Sequence, residues 1–376
     1  MANYYVSITG NDSNSGSESK QWKTIQHAAD TVKAGDTVTI FPGVYSGFYL
    51  LNKRGSADAY ITFRALPGVI INNRSTKYPD AINLEKVSYV VVEGFIIENK
   101  DSKITRGGIR VVGTRRMPNA HVIIRNNNVN AAQEWNIFSG FTNDIVIENN
   151  ISSGAKSQHG IYVSNSGDRP LIRTNTVFSN RNCGIHMNGD KSQGGDGLIT
   201  GAIVEGNVLY NNGVGGGSAI NADGVQGSMF RNNLIYNNHA SGISLFRDDG
   251  AQGSKNNYIE NNTVIMPAGS RWAINIQNGS TGAIINRNVI ANRNTSRGGI
   301  TISSDSLPGM RSDNNLFLTG KFCVGSKVLT ISGWRSSVGQ DLHSLTSTEK
   351  ESFVDHSLDN YNLSSSAPLQ DVGRLV

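Results

Sequence analysis

The chain has 376 residues, a net charge of +5 and only 17% charged residues. No basic block interleaves with aromatics, which excludes a groove built for single-stranded nucleic acid. No apolar run approaches the ~20 residues of a membrane span.

The pI near 9.1 permits an acidic partner without demanding one. Met1-Ala2-Asn3-Tyr4 leads straight into patterned sequence, with no signal-like segment. Export, secreted or to a cell surface, then needs a leader trimmed from this sequence or another route, as for a phage-encoded protein. Next come Trp22, Ile25, Ala28, Ala29 and Val32, an apolar stripe at helical spacing that stops before Gly35. This short helix is expected to cap the open end of whatever core follows.

From Asp80 to Val324 a short phrase recurs eight times. Its first half is Gly108-Ile109-Arg110-Val111, then Gly160-Ile161-Tyr162-Val163, Gly184-Ile185-His186-Met187, Gly242-Ile243-Ser244-Leu245 and Gly299-Ile300-Thr301-Ile302. Variants stand at Ile137, Ile220 and Ile274. Its second half is apolar-charged-x-Asn-x-apolar and supplies Asn127, Asn150, Asn175, Asn207, Asn233, Asn262, Asn288 and Asn315, spaced 23 to 32 residues apart. Such a period marks a solenoid. Val, Ile, Asn and Gly dominate, and apolar residues alternate with polar ones, so each repeat is a coil of short strands rather than helices. Stacked coils pair in parallel about 4.8 Å apart. The Asn column has a physical cause: a tight turn inside the stack leaves backbone groups needing partners, and Asn carries a donor, an acceptor and tolerance for left-handed backbone. A leucine-rich repeat would need Leu-x-x-Leu-x-Leu, which is absent.

After Val324 the rhythm ends. Leu329 to Leu345, with Trp334, and Phe353 to Leu369 form an irregular C-terminal cap. The expected organisation is one all-β domain: an N-terminal cap over 1–36, a parallel β-helix of about ten coils over 37–324, and a cap over 325–376. Cys183 and Cys323 fall five coils apart, roughly 20 Å, too far for a disulfide. No Cys/His spacing suggests zinc.

These features resemble the right-handed parallel β-helices of the pectate-lyase-like superfamily over roughly residues 37 to 324. The opening Gly10-Asn11-Asp12-Ser13-Asn14-Ser15-Gly16, then Trp22-Lys23-Thr24-Ile25, Ala34-Gly35-Asp36-Thr37 and Pro42-Gly43-Val44-Tyr45, resemble the start of many such proteins. The fold hosts lyases, hydrolases, epimerases and tailspikes, so the resemblance does not settle function.

Candidate chemistry comes from the outward positions of each coil's Ile strand. Read up the stack they are Arg110, Phe138, Tyr162 with Ser164, His186 with Asn188, Asn221 with Asp223, Ser244 with Phe246, and Asn275 with Gln277. Adjacent coils bring Tyr162, His186, Asn221 and Asp223 within ~5–10 Å. Long polar loops follow Ile185 (189–197) and Ile243 (247–255), flanking a short turn after Ile220. Together they make a groove across the Asp223 coil.

His186 is the candidate base, Tyr162 the proton donor, Arg247 the partner of a substrate carboxylate, and Asp223 orients His186 or holds metal. Arg110, Phe138, His159, Asn188, Asn221, Ser244, Phe246 and Asn275 are expected to line the substrate. Asp168 lies one coil below the patch, and His239 in a turn between coils. Asp190, Asp223, Asp248 and Asp249 form an acidic group that suits calcium, a cation that lyases of the resembling superfamily often use. No organic cofactor is expected.

The reading is a lyase that cleaves a uronate-containing, acidic polysaccharide by β-elimination. The pectate lyases it resembles use a basic Arg or Lys, which cannot be aligned here. Hydrolases of the polygalacturonase type resemble it in Asn221-Ala222-Asp223-Gly224, Asp248-Asp249 and His159-Gly160, but their His-Gly follows the acidic pair. A C5 epimerase shares the lyase's first step. A non-catalytic glycan-binding or tailspike-like β-helix has the same fold without turnover.

Overall fold

In a computed structural model that describes residues 1–374, the chain winds as a right-handed parallel β-solenoid of about twelve turns. A typical coil contributes Asn119–Arg125 to a first sheet, Asn128–Asn130 to a second and Ile137–Gly140 to a third. The sheets reach thirteen, twelve and twelve strands. Pairing begins with Asn3–Val6 against Thr37–Ile40 and runs to Leu316–Phe317 against Leu345–Thr346. The solenoid therefore starts before residue 37 and ends after residue 324, with more than the ten coils the repeat suggested. The inward Ile, Val and Leu of all three sheets form one continuous core.

The turn from the first to the second sheet carries the Asn column. Each side chain is at most 2% exposed. Asn127, Asn150, Asn175, Asn207, Asn233, Asn262 and Asn288 each donate Nδ2 to Oδ1 of the next Asn in the column, at 2.9–3.1 Å. The same Oδ1 accepts the backbone N–H of the preceding Asn, as Asn150 does from Asn127 at 3.0 Å. Nδ2 also donates to a carbonyl one coil back, as Asn233 does to Val204 at 2.9 Å. Left-handed backbone falls not on these Asn but on the residue before each: Asn126, Asn149, Thr174, Gly206, Asn232, Asn261, Arg287 and Asn314. A second, shorter column of Asn180, Asn212 and Asn238 closes the turn into the third sheet, with side-chain bonds of 2.9 and 3.1 Å.

Charge alternates along the outer face of the first sheet. The register stacks Arg64, Glu93, Arg125, Glu148, Arg173, Glu205, Arg231 and Glu260. Glu93 accepts from Arg64 and Arg125, both at 2.6 Å. Opposite charges directly across a strand pair stabilise, and like charges destabilise. The alternation thus supports one register of coil on coil.

Both ends are closed. The helix Ile25–Thr31 is capped by Thr24, whose Oγ1 accepts from His27 N, and buries Ile25, Ala28 and Ala29. At the other end Ile331–Val338 drops Trp334 onto Phe322 at 5.2 Å, and its Nε1 donates to Asp341 Oδ2 at 2.9 Å. Beyond it the chain does not simply continue the cap. A hairpin of Phe353–Asp355 and Asn360–Leu363 folds back onto the outer face of the second sheet, against Tyr236, Ile265, Val289 and Leu316. Cys183 and Cys323 are both buried and unbridged.

Replacing Asn233 by Leu removes the acceptor of two Asn207 donors and the donor to Val204 and Asn262. At about 1–3 kcal/mol per buried unsatisfied group, several kcal/mol of stability should be lost. Urea unfolding should show a clearly lower midpoint, and an unchanged midpoint would deny the column its structural role.

Candidate active site

The outer face of the third sheet carries the candidate residues in one register. Arg110 pairs with Phe138, Phe138 with Tyr162, Tyr162 with His186, His186 with Asn221 and Asn221 with Ser244. The neighbouring row runs Gly140, Ser164, Asn188, Asp223 and Phe246. Parallel pairing without bulges keeps these side chains one strand spacing apart.

The middle of the face is aromatic. Phe138 and Tyr162 centroids are 5.2 Å apart, and Tyr162 and His186 4.8 Å. His159 leans in from the turn below, 4.9 Å from Tyr162 and stacked on His186 at 4.6 Å. It is buried, and Nδ1 accepts the N–H of Cys183 at 3.2 Å. That bond leaves Nδ1 without a proton, and desolvation with His186 beside it holds His159 well below the ordinary histidine pKa. His186 is half-buried, and desolvation lowers its pKa to about 4. Its Nδ1 is buried with no hydrogen-bond partner. Both rings are therefore neutral at neutral pH.

Tyr162 is shifted the opposite way. Burial raises its pKa, Ser164 and Asn188 lower it, and the charges of Asp190 and Asp249 raise it further. Asn188 Nδ2 donates to the phenol oxygen at 3.4 Å and to Asp249 Oδ2 at 3.1 Å. Ser164 Oγ lies 3.3 Å from the phenol and 2.6 Å from Asn165 Oδ1. Both contacts to the phenol are long, so its hydroxyl is only weakly held.

Trp135, which sequence reasoning passed over, completes the cluster. Its ring lies 4.5 Å from Phe138, and Nε1 donates to Gln158 Oε1 at 2.9 Å. Phe138 is only 8% exposed, so Trp135 rather than Phe138 offers the open aromatic surface. The signal was Trp135 two residues before the Ile phrase, in a turn whose course sequence does not reveal.

Several expected roles need correction. Asp223 does not reach His186. Its carboxylate accepts the backbone N–H groups of Asp248, Asp249 and Gly250 at 2.9, 2.8 and 3.0 Å, and burial raises its pKa against those amides. It is the anchor of the 247–255 loop. Gly250 belongs to that anchor, because a Cβ there would sit 2.8 Å from Asp223 Oδ1 and 2.7 Å from Gly224 Cα.

The acidic group does not converge on a cation. Asp249 Oδ2 is taken by Asn188, Asp190 Oδ1 by the N–H and hydroxyl of Ser192, and Asp248 stands exposed on the loop. Among the described residues no three His, Cys, Asp or Glu side chains are grouped to hold a metal. Calcium, with its six to eight oxygens, does not fit the set Asp190, Asp223, Asp248 and Asp249.

Arg110 is spent on Glu85 at 2.6 Å and Asn83 at 2.9 Å. Ser244 and Asn275 are buried, bonded to Ser218 and Gln277, so the row closes over at those coils. Asn221 and Phe246 stay half-exposed on the face. Arg247 is exposed, with no carboxylate in ion-pair distance among the described residues, and its carbonyl is held by Asn278 at 2.9 Å. Asp168 is turned from the row, accepting from Thr200 N at 2.7 Å. With Arg115, Phe141 and Asp196 it borders a cavity of about 430 Å³ on the loop side. A cavity of about 470 Å³ beside Lys23–Gln26 and Tyr45–Gly47 lies coils away and takes no part in this face.

The profile of the family described as periplasmic copper-binding protein (NosD) matches residues 30–194, and one described as a protein of unknown function matches 8–48. The chain is 27% identical to the uncharacterized protein YwoF of Bacillus subtilis (strain 168) over 135 residues, 33% of this chain and 28% of that one. It therefore spans under a third of that relative.

Among solved structures it is similar to a glycoside hydrolase (TM-score 0.63, 9% identity, 98% of this chain and 100% of that one). It is also similar to the pectate lyase Pel9A (TM-score 0.59, 15% identity, 100% and 89%). At those identities the likeness is one of fold. The profile of the right handed beta helix region matches residues 135–328, 194 of the 376, and the chain belongs to the right-handed β-helix family.

Proposed function

We propose that this protein cleaves a uronate-containing polysaccharide by β-elimination on the outer face of the third sheet. One observation carries the reading. Two adjacent groups, His186 and Tyr162, 4.8 Å apart, have protonation equilibria pushed in opposite directions. Desolvation keeps His186 an unprotonated base. Burial and two nearby carboxylates keep Tyr162 a protonated phenol. A pair separated in this way assigns its own acid and base.

In the reaction His186 takes the proton beside the uronate carboxylate. The C–H electron pair becomes the new C=C bond, the C–O bond to the neighbouring sugar breaks, and Tyr162 protonates the departing oxygen. Arg247, unpaired on the loop above, neutralises the uronate and the enolate charge that develops on it. Asp223 holds that loop in place through its three amides. His159 stacks beneath His186 and excludes water from it. The likeness of fold to carbohydrate-active enzymes such as Pel9A supports a polysaccharide as the partner.

A second reading is hydrolysis, in which a pair of carboxylates does the work, with Asp249, one Asn188 amide from the Tyr162 hydroxyl, as one of them. The two differ in product. Incubation with a panel of uronate polymers should give chain ends with the ultraviolet absorbance of an unsaturated uronate. Reducing ends without that absorbance would establish hydrolysis instead.

His186→Ala should lower turnover by about 10²-fold or more, the scale of a lost general base, with the melting temperature retained. Kinetics like wild type would remove His186 from the chemistry. Asp223→Ala leaves three loop amides without their acceptor. It should lower kcat and raise KM together, because Arg247, which neutralises both the bound uronate and the developing enolate, loses its position. Unchanged KM would show that the loop is held otherwise.

A further inference from the structure

We propose that the edge where the second sheet turns into the third is a binding track for a polyanionic glycan lying along the solenoid axis; naming its charges as the carboxylates of successive uronates rests on the elimination reading above. On the lower coils the cations of this edge are neutralised, Lys100 by Glu98, Lys103 by Asp101 and Arg106 by Asp80. Higher up they are not. The turns 154–160, 179–184, 211–219, 237–242, 267–273 and 293–299 contain no Asp or Glu and carry Lys156, Arg181, Arg271, Arg293 and Arg297. Glu349 holds Arg293. The other four are exposed, with no carboxylate in ion-pair distance among the described residues. Lys156 meets a neutral hydroxyl, Ser102 Oγ at 2.8 Å, and the Arg297 guanidinium lies over the Trp272 ring at 5.3 Å.

The four are stacked, not scattered. Lys156 N–H donates to Ala132 O and Arg181 N–H to Ala155 O, both at 3.0 Å, which sets Arg181 one coil above Lys156. Arg271 N–H donates to Ala240 O in the same way. Between Arg181 and Arg271 runs the glycine-rich segment 213–217. A Cβ on Gly215 would stand 3.4 Å from Arg181 Cγ, and one on Gly216 3.7 Å from Arg271 Nη2. The two arginines thus lie, from below and above, against backbone that carries no side chain. Like charges on adjacent strands destabilise a stack. The first sheet avoids that cost by alternating Arg and Glu, whereas this edge keeps one sign. An anion laid along it removes the repulsion.

The strands these turns enter pair in sequence from Ile161–Ser164 through Ile185–Asn188, Ile220–Asp223, Ile243–Phe246 and Ile274–Ile276 to Ile300–Ile302. Five steps of about 4.8 Å make a track of about 24 Å. One step is close to the length of a pyranose unit with its linkage. A glycan with a carboxylate on every unit therefore keeps pace with the coils. Its charges meet Lys156 and Arg181, then Arg271 and Arg297, in a field of one sign that draws the chain in. Arg181 stands five residues before His186, at the entry to its strand, and Arg247 follows the exit of the strand two coils higher. A chain on this edge runs beside the reacting pair.

Binding is the test, measured apart from turnover. His186→Ala protein, which should spare the polymer, is titrated calorimetrically at about 0.1 M salt, where remote surface charges are screened over ~10 Å. Polygalacturonate, polymannuronate, neutral dextran and duplex DNA serve as probes. A polyuronate should bind more tightly than dextran or DNA. Adding Lys156→Gln, Arg181→Gln, Arg271→Gln and Arg297→Gln together should weaken that binding about 30-fold, from about 2- to 3-fold for each exposed pair. Arg181→Gln with Arg271→Gln alone should weaken it about 5-fold on the same scale. Removing the same charge at exposed Lys20, Lys33, Lys327 and Lys350 should change it by less than about 2-fold. Melting temperatures should be retained throughout.

Unchanged binding in the four-site variant would overturn the proposal. So would an equal loss in the remote-lysine control, dextran or DNA bound as tightly as polyuronate, or no binding of either polyuronate. If the track binds as stated and protein with His186 intact forms no unsaturated product, the elimination reading fails while the track stands. If that product forms and the four-site variant binds normally, the track fails while the elimination reading stands.

Discussion

Every feature of the third sheet's outer face depends on side-chain amides that bond one coil to the next. Where the chain turns from the first sheet into the second, a buried Asn offers its oxygen to the amide groups of one neighbouring Asn and its nitrogen to groups above and below. An unpaired backbone group inside a turn costs as much as a lost hydrogen bond, and an apolar side chain offers it no partner. The column satisfies these groups at every level with the same geometry, so the coils repeat at a constant spacing. The alternating Arg and Glu of the first sheet oppose a slip of one coil against the next. Constant spacing on one face becomes constant spacing on the others, and that is what sets Phe138, Tyr162 and His186 ring against ring.

The protonation states then follow from crowding. Rings held about one strand spacing apart exclude water from each other. Desolvation drives His159 and His186 towards the neutral form and Tyr162 towards its protonated form, without an ion pair on any of them. The polar parts come from the loops. Asn188 links the phenol to Asp249, and Asp223 ties the backbone of 248–250 beneath Arg247. The face thus joins an aromatic row on the strands to charged loops at its edge.

The parts of this arrangement legible in the sequence are those written in a period. The Asn column and the Ile phrase fixed the solenoid, and the phrase also placed Tyr162, His186, Asn221 and Asp223 in their correct register. The charged residue two before each Asn from Asn127 to Asn262 was visible too, but its change of sign from coil to coil has meaning only once the strands are stacked. What stayed hidden lies in the turns. Trp135 precedes its strand in a segment whose course no periodicity describes, yet it supplies the ring that covers Phe138; His159 was read as lining the site, but not as the ring stacked on His186. Asp223 was read as a partner of His186 because both point outward; the loop that curls back to occupy its oxygens starts 24 residues later, at Arg247. Ser244 and Asn275 were read as open for the same reason, and the structure buries them.

The account stands on His186 being an uncharged base throughout the working range of pH. Its ring titration can be followed by NMR in protein labelled at histidine nitrogen, with His186→Ala identifying the signals. Because desolvation lowers the pKa, the ring should stay neutral as the pH falls through the ordinary histidine range near ~6.5 and take up its proton only near the value of about 4. A ring that becomes charged near ~6.5 would mean that water reaches it freely and would contradict the assignment of acid and base on this face.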